Sequence, residues 1–194
     1  ILNSIANHLD DGQGKFILLQ LLEADLMFAV SQFAKDKIVE LAKTILPPEP
    51  VYQIESGMQV LYAPIDNGYL KTKDLKAINN FNSEFKINPD SKVICYFGRV
   101  FPEKGVDDLI NAFASLKKDF PKVTLVIGGD GIELDNLKNL SKKLKLKDVV
   151  FTGAVLDPRK KRALMQASFL GIIPTKPTPN FVETLCISGL EYQA

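Results

Sequence analysis

From Lys92 onward the chain alternates between short apolar runs and longer stretches in which apolar residues return every three or four positions. Lys92–Phe97 (KVICYF) is short, apolar and closed by Gly98, the pattern of a buried strand. Val106, Leu109, Ile110, Phe113 and Leu116 then recur at helical spacing and stop before Pro121. Val123–Ile127 predicts a second strand, ended by Gly128-Gly129-Asp130-Gly131, and Leu134, Leu137, Leu140 and Leu144 mark the next helix. Val149–Phe151 predicts a third strand that stops at Gly153. Asp157-Pro158 offers an N-cap and a first-turn proline for a helix through Ala163, Leu164 and Ala167. Phe169–Ile173 predicts a fourth strand, and the loop Pro174–Asn180 leads into a last helix.

Strands alternating with helices predict an α/β fold with a doubly wound parallel sheet. Ligands of such sheets bind beyond the carboxyl ends of the strands. The segments to inspect are therefore Gly98–Gly105, Gly128–Gly131, Gly153–Asp157 and Pro174–Glu183.

The earlier half is less complete. Lys15–Glu23 predicts a helix, Leu26–Val30 a buried strand, and Phe33–Leu46 a helix capped by Ser31 and stopped by Pro47-Pro48. Val60–Tyr62 predicts a short strand. Two strands and two helices bury no full core alone. Residues 1–63 thus read as the closing part of another α/β domain. Residues 64–91 read as a polar linker with a helix near Leu75–Phe85, and residues 92–194 as the main domain.

Composition narrows the function. The 194 residues are 46% hydrophobic and 24% charged, which excludes a disordered tail, a collagen-like repeat and a disulfide scaffold. Phe16–Leu22, broken by Gln20, is too short to span a bilayer. The chain starts at Ile1 rather than Met, with no signal-peptide pattern, and reads as a piece of a longer protein. Residues 1–91 carry a net charge of −4 and residues 92–194 a net of +5. That balance suits an anionic small ligand and does not argue for nucleic acid. Cys95 and Cys186 lie in no metal-spaced pair; Cys95 reads as a core hydrophobe, and a reducing, cytoplasmic setting follows.

Gly98-Arg99-Val100-Phe101-Pro102-Glu103-Lys104-Gly105 sits between a strand and a helix. It puts two cations where backbone N–H groups and the helix dipole already favour an anion, so a diphosphate is the natural ligand, against solvated surface cations. It is not a Walker A loop, and Gly128–Gly131 misses the dinucleotide pattern, which lacks its third glycine here. The glycines there serve either a ligand or a close backbone approach. Glu183 and Glu191 have seven residues between them; if the segment were helical throughout, they would lie about 12 Å apart along the axis, the scale of a nucleotide sugar. Exposed helix charges are the competing reading.

The ordered set GRVFPEKGVDDLINAF, LVIGGDGIELDNL, VVFTGAV and ETLCISGLEYQA resembles the donor-binding domain of retaining family-4 glycosyltransferases, the GT-B fold. ADLMFAVSQFAK is similar to the family's strand–helix unit near the end of its acceptor-side domain. VLYAPID is similar to the crossing into the donor domain, with Ala63-Pro64 where the family has Asn-Gly or Asn-Pro.

The resemblance implies transfer of a hexose from a nucleotide sugar, such as a UDP- or GDP-hexose, to an unknown carbohydrate or lipid-linked acceptor, with retention. It implies neither a cofactor nor a metal. It implies that Arg99 and Lys104 grip the diphosphate beside Gly98, that Glu183 orients the hexose, and that Glu191 holds the ribose. Leu185, Cys186 and Ile187 would contact sugar and phosphate, and Val155 would border the nucleobase. Leu185-Cys186 replaces the family's Phe-Gly, which keeps a non-catalytic binding module open beside the transferase; a nucleotide-sugar 2-epimerase of the same fold is the third alternative. His8 reads as a polar helix or loop residue. The basic runs Lys142–Lys147 and Arg159–Arg162 suit either solvated helix ends or a peripheral contact with an anionic membrane.

Overall fold

The computed structural model describes residues 12–64, 72–178, 181, 183 and 185–193. The described residues form two compact units, one from 12–64 and the described part of 177–185, the other from 72–176 and 186–193.

In the first unit α1 (Gln13–Leu22) leads to β1 (Met27–Ala29) and α2 (Gln32–Ile45). Ser31 caps α2, its Oγ accepting from Ala34 N at 3.1 Å. A third helix, α3 (Pro48–Gly57), follows where the two prolines read as a stop. Proline also suits the first helical turn, where its missing N–H has no partner to lose, and Glu49 complements the dipole there. Because α3 runs to Gly57, β2 is Met58–Val60, two residues earlier than expected; it pairs in parallel with β1, Met27 opposite Met58. Leu18, Ile38, Ala42, Val51, Ile54 and Met58 make a core that two helices alone would not close.

The second unit opens with α4 (Leu75–Glu84), capped by Asp74. Then come β3 (Lys92–Phe97), α5 (Val106–Asp119), β4 (Val123–Gly128), α6 (Leu134–Lys143), β5 (Val149–Gly153), α7 (Pro158–Ala167), β6 (Ser168–Gly171) and α8 (Ile187–Gln193). The four strands pair in parallel in the order β5-β4-β3-β6, with Lys92 opposite Val123 and Val93 opposite Ser168. Alternate strand residues serve opposite faces. Ile94, Tyr96, Leu125 and Ile127 pack with Val106, Ile110 and Phe113 of α5 and Leu137 of α6. Val93, Cys95 and Val126 pack with Phe81 of α4 and Ala163 and Leu164 of α7. The sheet is therefore doubly wound. The chain moves outward from β3 to β5 and returns to place β6 on the other side of β3. That reversal is a switch point, and the crevice beyond β3 and β6 is where such a sheet takes a ligand.

Candidate functional site

The loop leaving β3 is held by its neighbour's main chain. Gly98 N donates to Gly128 O at 2.9 Å, Val100 N to Asp130 O at 2.9 Å, and Glu133 N to Val100 O at 3.2 Å. The approach is so close that a Cβ on Gly129, at φ +145°, would lie 1.8 Å from Gly98 O, and one on Gly131 would lie 2.2 Å from Val100 O. The glycines of Gly128–Gly131 thus meet the close-approach reading.

The same loop is fastened on its other side. Pro102–Lys104 forms a short 3-10 turn that ends at Gly105, in the left-handed region at φ +64°. A Cβ on Gly105 would fall 2.1 Å from Pro174 O, and Lys176 N donates to Glu103 O at 2.9 Å. Arg99 is exposed, with its guanidinium 5.2 Å from the Phe101 ring centroid, and its carbonyl accepts from Tyr96 Oη at 2.5 Å. Lys104 is only 9% exposed. Two aspartates, Asp107 and Asp108, stand in the first turn of α5, where their charge opposes an arriving anion. Lys176 pairs with both, at 3.0 and 2.9 Å, and their hydrogen bonds hold its ammonium above the usual lysine range.

Beyond β5, Gly153 O accepts from Gly129 N at 2.9 Å, which ties this loop to the one after β4. Val155 follows, half-buried, and Asp157 caps α7 by accepting from Arg159 N at 2.8 Å.

The C-terminal segment departs from the continuous helix that the 12 Å spacing assumes. Thr178 and Phe181 form an antiparallel bridge, exchanging main-chain bonds at 3.0 and 3.2 Å. Helix α8 begins only at Ile187, with Cys186 O accepting from Leu190 N at 3.2 Å. Glu183 and Glu191 therefore do not share one helix. Glu183 and Leu185 group with the first unit, whereas Gly98, Arg99, Lys104, Val155, Cys186, Ile187 and Glu191 belong to the second. Cys186 Sγ lies 3.2 Å from Ser188 Oγ. On α8, Glu191 Oε1 pairs with Lys161 Nζ at 2.5 Å.

The run Arg159–Arg162 is tied inward. Lys160 pairs with Glu84 at 2.7 Å, Lys161 with Glu191, and Arg162 donates to Thr72 O. Lys142, Lys143, Lys145 and Lys147 stay exposed. Among the described residues no helix is long and apolar enough to cross a membrane, and no group of His, Cys, Asp and Glu is placed to hold a metal. His8 lies outside the described residues.

Residues 78–194 match the family described as Glycosyl transferases group 1. This chain belongs to that family. It is 27% identical over 169 residues to an uncharacterized glycosyltransferase of Methanocaldococcus jannaschii, covering 86% of this chain and 38% of the relative. It is 27% identical over 140 residues to the alpha-monoglucosyldiacylglycerol synthase of Streptococcus pneumoniae, covering 70% of this chain and 29% of the relative. The chain thus spans well under half the length of these curated relatives. Among solved structures, Anabaena HepE in complex with UDP and glucose superimposes with a TM-score of 0.64 at 23% identity, over 85% of this chain and 42% of that one. This likeness shows the fold, with parallel α/β units of the GT-B type.

Two cations of this group 1 glycosyltransferase chain have partners that the sequence does not show. Lys176 lies in the segment after the fourth strand, which the carboxyl-end rule singles out, yet a lysine among prolines carries no pattern of its own. Lys161 reads as one of four adjacent basic residues, and only the packing of α7 against α8 gives it a partner.

Proposed function

We propose that this chain supplies the donor-binding part of a glycosyltransferase that moves a hexose from a nucleoside diphosphate sugar, such as a UDP- or GDP-hexose, to an acceptor with retention of configuration. The observation that carries the proposal is the rim at the switch point. The loop bearing Arg99 and Lys104 is clasped between the loops after β4 and β6, directly ahead of α5. A diphosphate in that crevice meets a guanidinium fork, an ammonium and main-chain N–H groups. Negative charge grows on the leaving nucleoside diphosphate as the glycosidic bond breaks, so these cations bind the transition state more tightly than the ground state. The leaving phosphate takes the acceptor's proton, and protein carboxylates position rather than attack, unlike those of retaining glycoside hydrolases.

In this reading Gly98 lets the backbone approach the phosphates, Glu183 orients the hexose and Glu191 accepts from the ribose hydroxyls. Val155 borders the nucleobase, and the amides of Leu185, Cys186 and Ile187 face sugar and phosphate. The UDP and glucose of the HepE complex support the donor class, and the monoglucosyl lipid made by the Streptococcus synthase supports a hexose. The acceptor is a carbohydrate or a lipid-linked one, and the exposed Lys142, Lys143, Lys145 and Lys147 suit peripheral contact with an anionic membrane from the cytoplasmic side. A second reading, a nucleotide-sugar-binding module without turnover, is favoured by Cys186, whose side chain occupies space that glycine leaves to a sugar.

Thermal stabilisation by UDP, GDP, ADP and their hexose conjugates tests the donor class. Stabilisation by at least one nucleotide sugar is expected; none across the panel refutes the proposal. Transfer of labelled hexose by the full-length protein separates the transferase from the binding module.

A further inference from the structure

The first turn of α5 is caught between two demands. Gly105, its N-cap, has no side chain to accept from the helix's first N–H groups, and a capping serine or aspartate does not fit in its place. Its φ is +64°, and a Cβ there would lie 2.1 Å from Pro174 O and 3.1 Å from Cε of Lys176. The positive end of α5 is therefore met by negative charge in its first turn, which Asp107 and Asp108 supply. Yet these carboxylates come three and four residues after Lys104, at the rim where the donor's diphosphate is to arrive. Two negative charges there repel the phosphates and offset what Arg99 and Lys104 contribute.

Lys176 stands over this conflict. It comes from the loop after β6, its main-chain N–H donates to Glu103 O at 2.9 Å, and its side-chain stem lies beside Gly105. Its Nζ is 3.0 and 3.1 Å from the two carboxylate oxygens of Asp107 and 2.9 Å from Oδ2 of Asp108. An ammonium has three donors, and these contacts engage it, so it does not meet a ligand as a bare cation. The three side chains are 36%, 49% and 66% exposed, and ion pairs so open to water add little to stability. What the bridge does change is charge. The first turn goes from two negative charges to one, while both aspartates stay at the helix's positive end.

We infer that Lys176 is a positioning residue for the donor diphosphate: it cancels part of the charge of Asp107 and Asp108, so that a helix start stabilised by acids still admits an anion at the Arg99–Lys104 rim. The inference rests on the donor reading given above for that rim. It adds a residue that acts on the donor through the two carboxylates and not by touching it.

The test is calorimetric titration of the whole chain with UDP, GDP and ADP, followed by the variants with whichever binds best. Lys176→Met should weaken the diphosphate about fivefold in about 0.05 M salt and only about twofold in about 0.5 M salt, because mobile ions then screen the uncovered aspartates. Adding Asp108→Asn to Lys176→Met returns the first turn to one negative charge, and affinity should come back to within about twofold of the wild type. Asp107→Asn in the same background should do likewise, and it decides the matter if the first pair fails to fold. Lys176→Gln replaces Lys176→Met if that variant does not fold. A loss that neither asparagine repairs overturns the inference, because it reports a tether between loops or a direct phosphate contact. A loss of the same size at both salt concentrations also overturns it. If no nucleotide binds the wild type, the donor reading falls and this inference with it; wild-type binding that Lys176→Met leaves unchanged removes the role of Lys176 alone.

Discussion

The carbonyl oxygen of Gly98 occupies the place where a side chain on Gly129 would have to begin, 1.8 Å from an ideal Cβ. The clash is with main chain, which cannot swing aside, and Gly129 has a φ of +145° that L-residues rarely adopt. Gly129→Ala should therefore destabilise the second unit by about 2–4 kcal/mol in urea unfolding, by strain and displacement together. It should also loosen the loop that carries Arg99. A loss below about 1 kcal/mol would show that the loops after β3 and β4 part easily.

Gly171 and Tyr192 make a second tight pair. A Cβ at Gly171 would lie 2.4 to 2.6 Å from three ring atoms of Tyr192. Gly171→Ala overpacks this contact and should cost about 1–3 kcal/mol. Tyr192→Leu removes the ring, so the two changes together should cost less than their sum in a double-mutant cycle. Strict additivity would mean that α8 does not dock through this contact. Because α8 carries Glu191, Gly171→Ala should also weaken nucleotide binding.

These contacts mark how far the residue pattern reaches. Apolar runs such as Lys92–Phe97 and Val123–Ile127 predict strands because burial on both faces demands unbroken hydrophobicity. Ser31 and Asp157 announce their helices because capping is local chemistry. Pro47-Pro48 misleads, since proline ends one helix and opens another with equal ease. The Glu183–Glu191 spacing misleads for a different reason. Spacing does not tell where the chain enters the helix, and the Thr178–Phe181 bridge precedes a helix that starts only at Ile187. Lys161 finds Glu191 through tertiary packing of α7 and α8, which no local pattern contains.

Burial pushes the Cys95 thiol up from 9.0 to about 11, partly offset by the Tyr192 and Ser168 side chains. Between those values the unfolded chain has released the thiol proton and the folded chain still holds it. The folded state therefore binds more protons, and stability falls as pH rises from about 9 to about 11, by about 2–3 kcal/mol from this group. Tyr192 is raised in the same direction, chiefly by its own burial, and extends the loss to higher pH. Urea unfolding of the wild type and Cys95→Ala at pH 8 and pH 11 separates the two. The advantage of the wild type should shrink at the higher pH, and a constant difference would mean that the thiol ionises as freely folded as unfolded.

Arg99 and Lys104 differ in burial, and that difference separates binding from stability. Arg99 is exposed, and its contact with Phe101 is a surface contact, so Arg99→Ala should leave the urea midpoint nearly unchanged. Its guanidinium is the freely presented fork of the rim, so the same variant should weaken nucleoside diphosphate binding about tenfold or more in calorimetry. Lys104 is buried at the foot of the 3-10 turn, where its stem packs as well as its charge. Lys104→Ala should therefore lower both stability and affinity, while Lys104→Met keeps most of the packing and isolates the charge. A nucleoside monophosphate, with one phosphate fewer to contact the rim, should lose less affinity in each variant. Unchanged diphosphate affinity in Arg99→Ala would remove this loop from the donor site whatever Lys104 does.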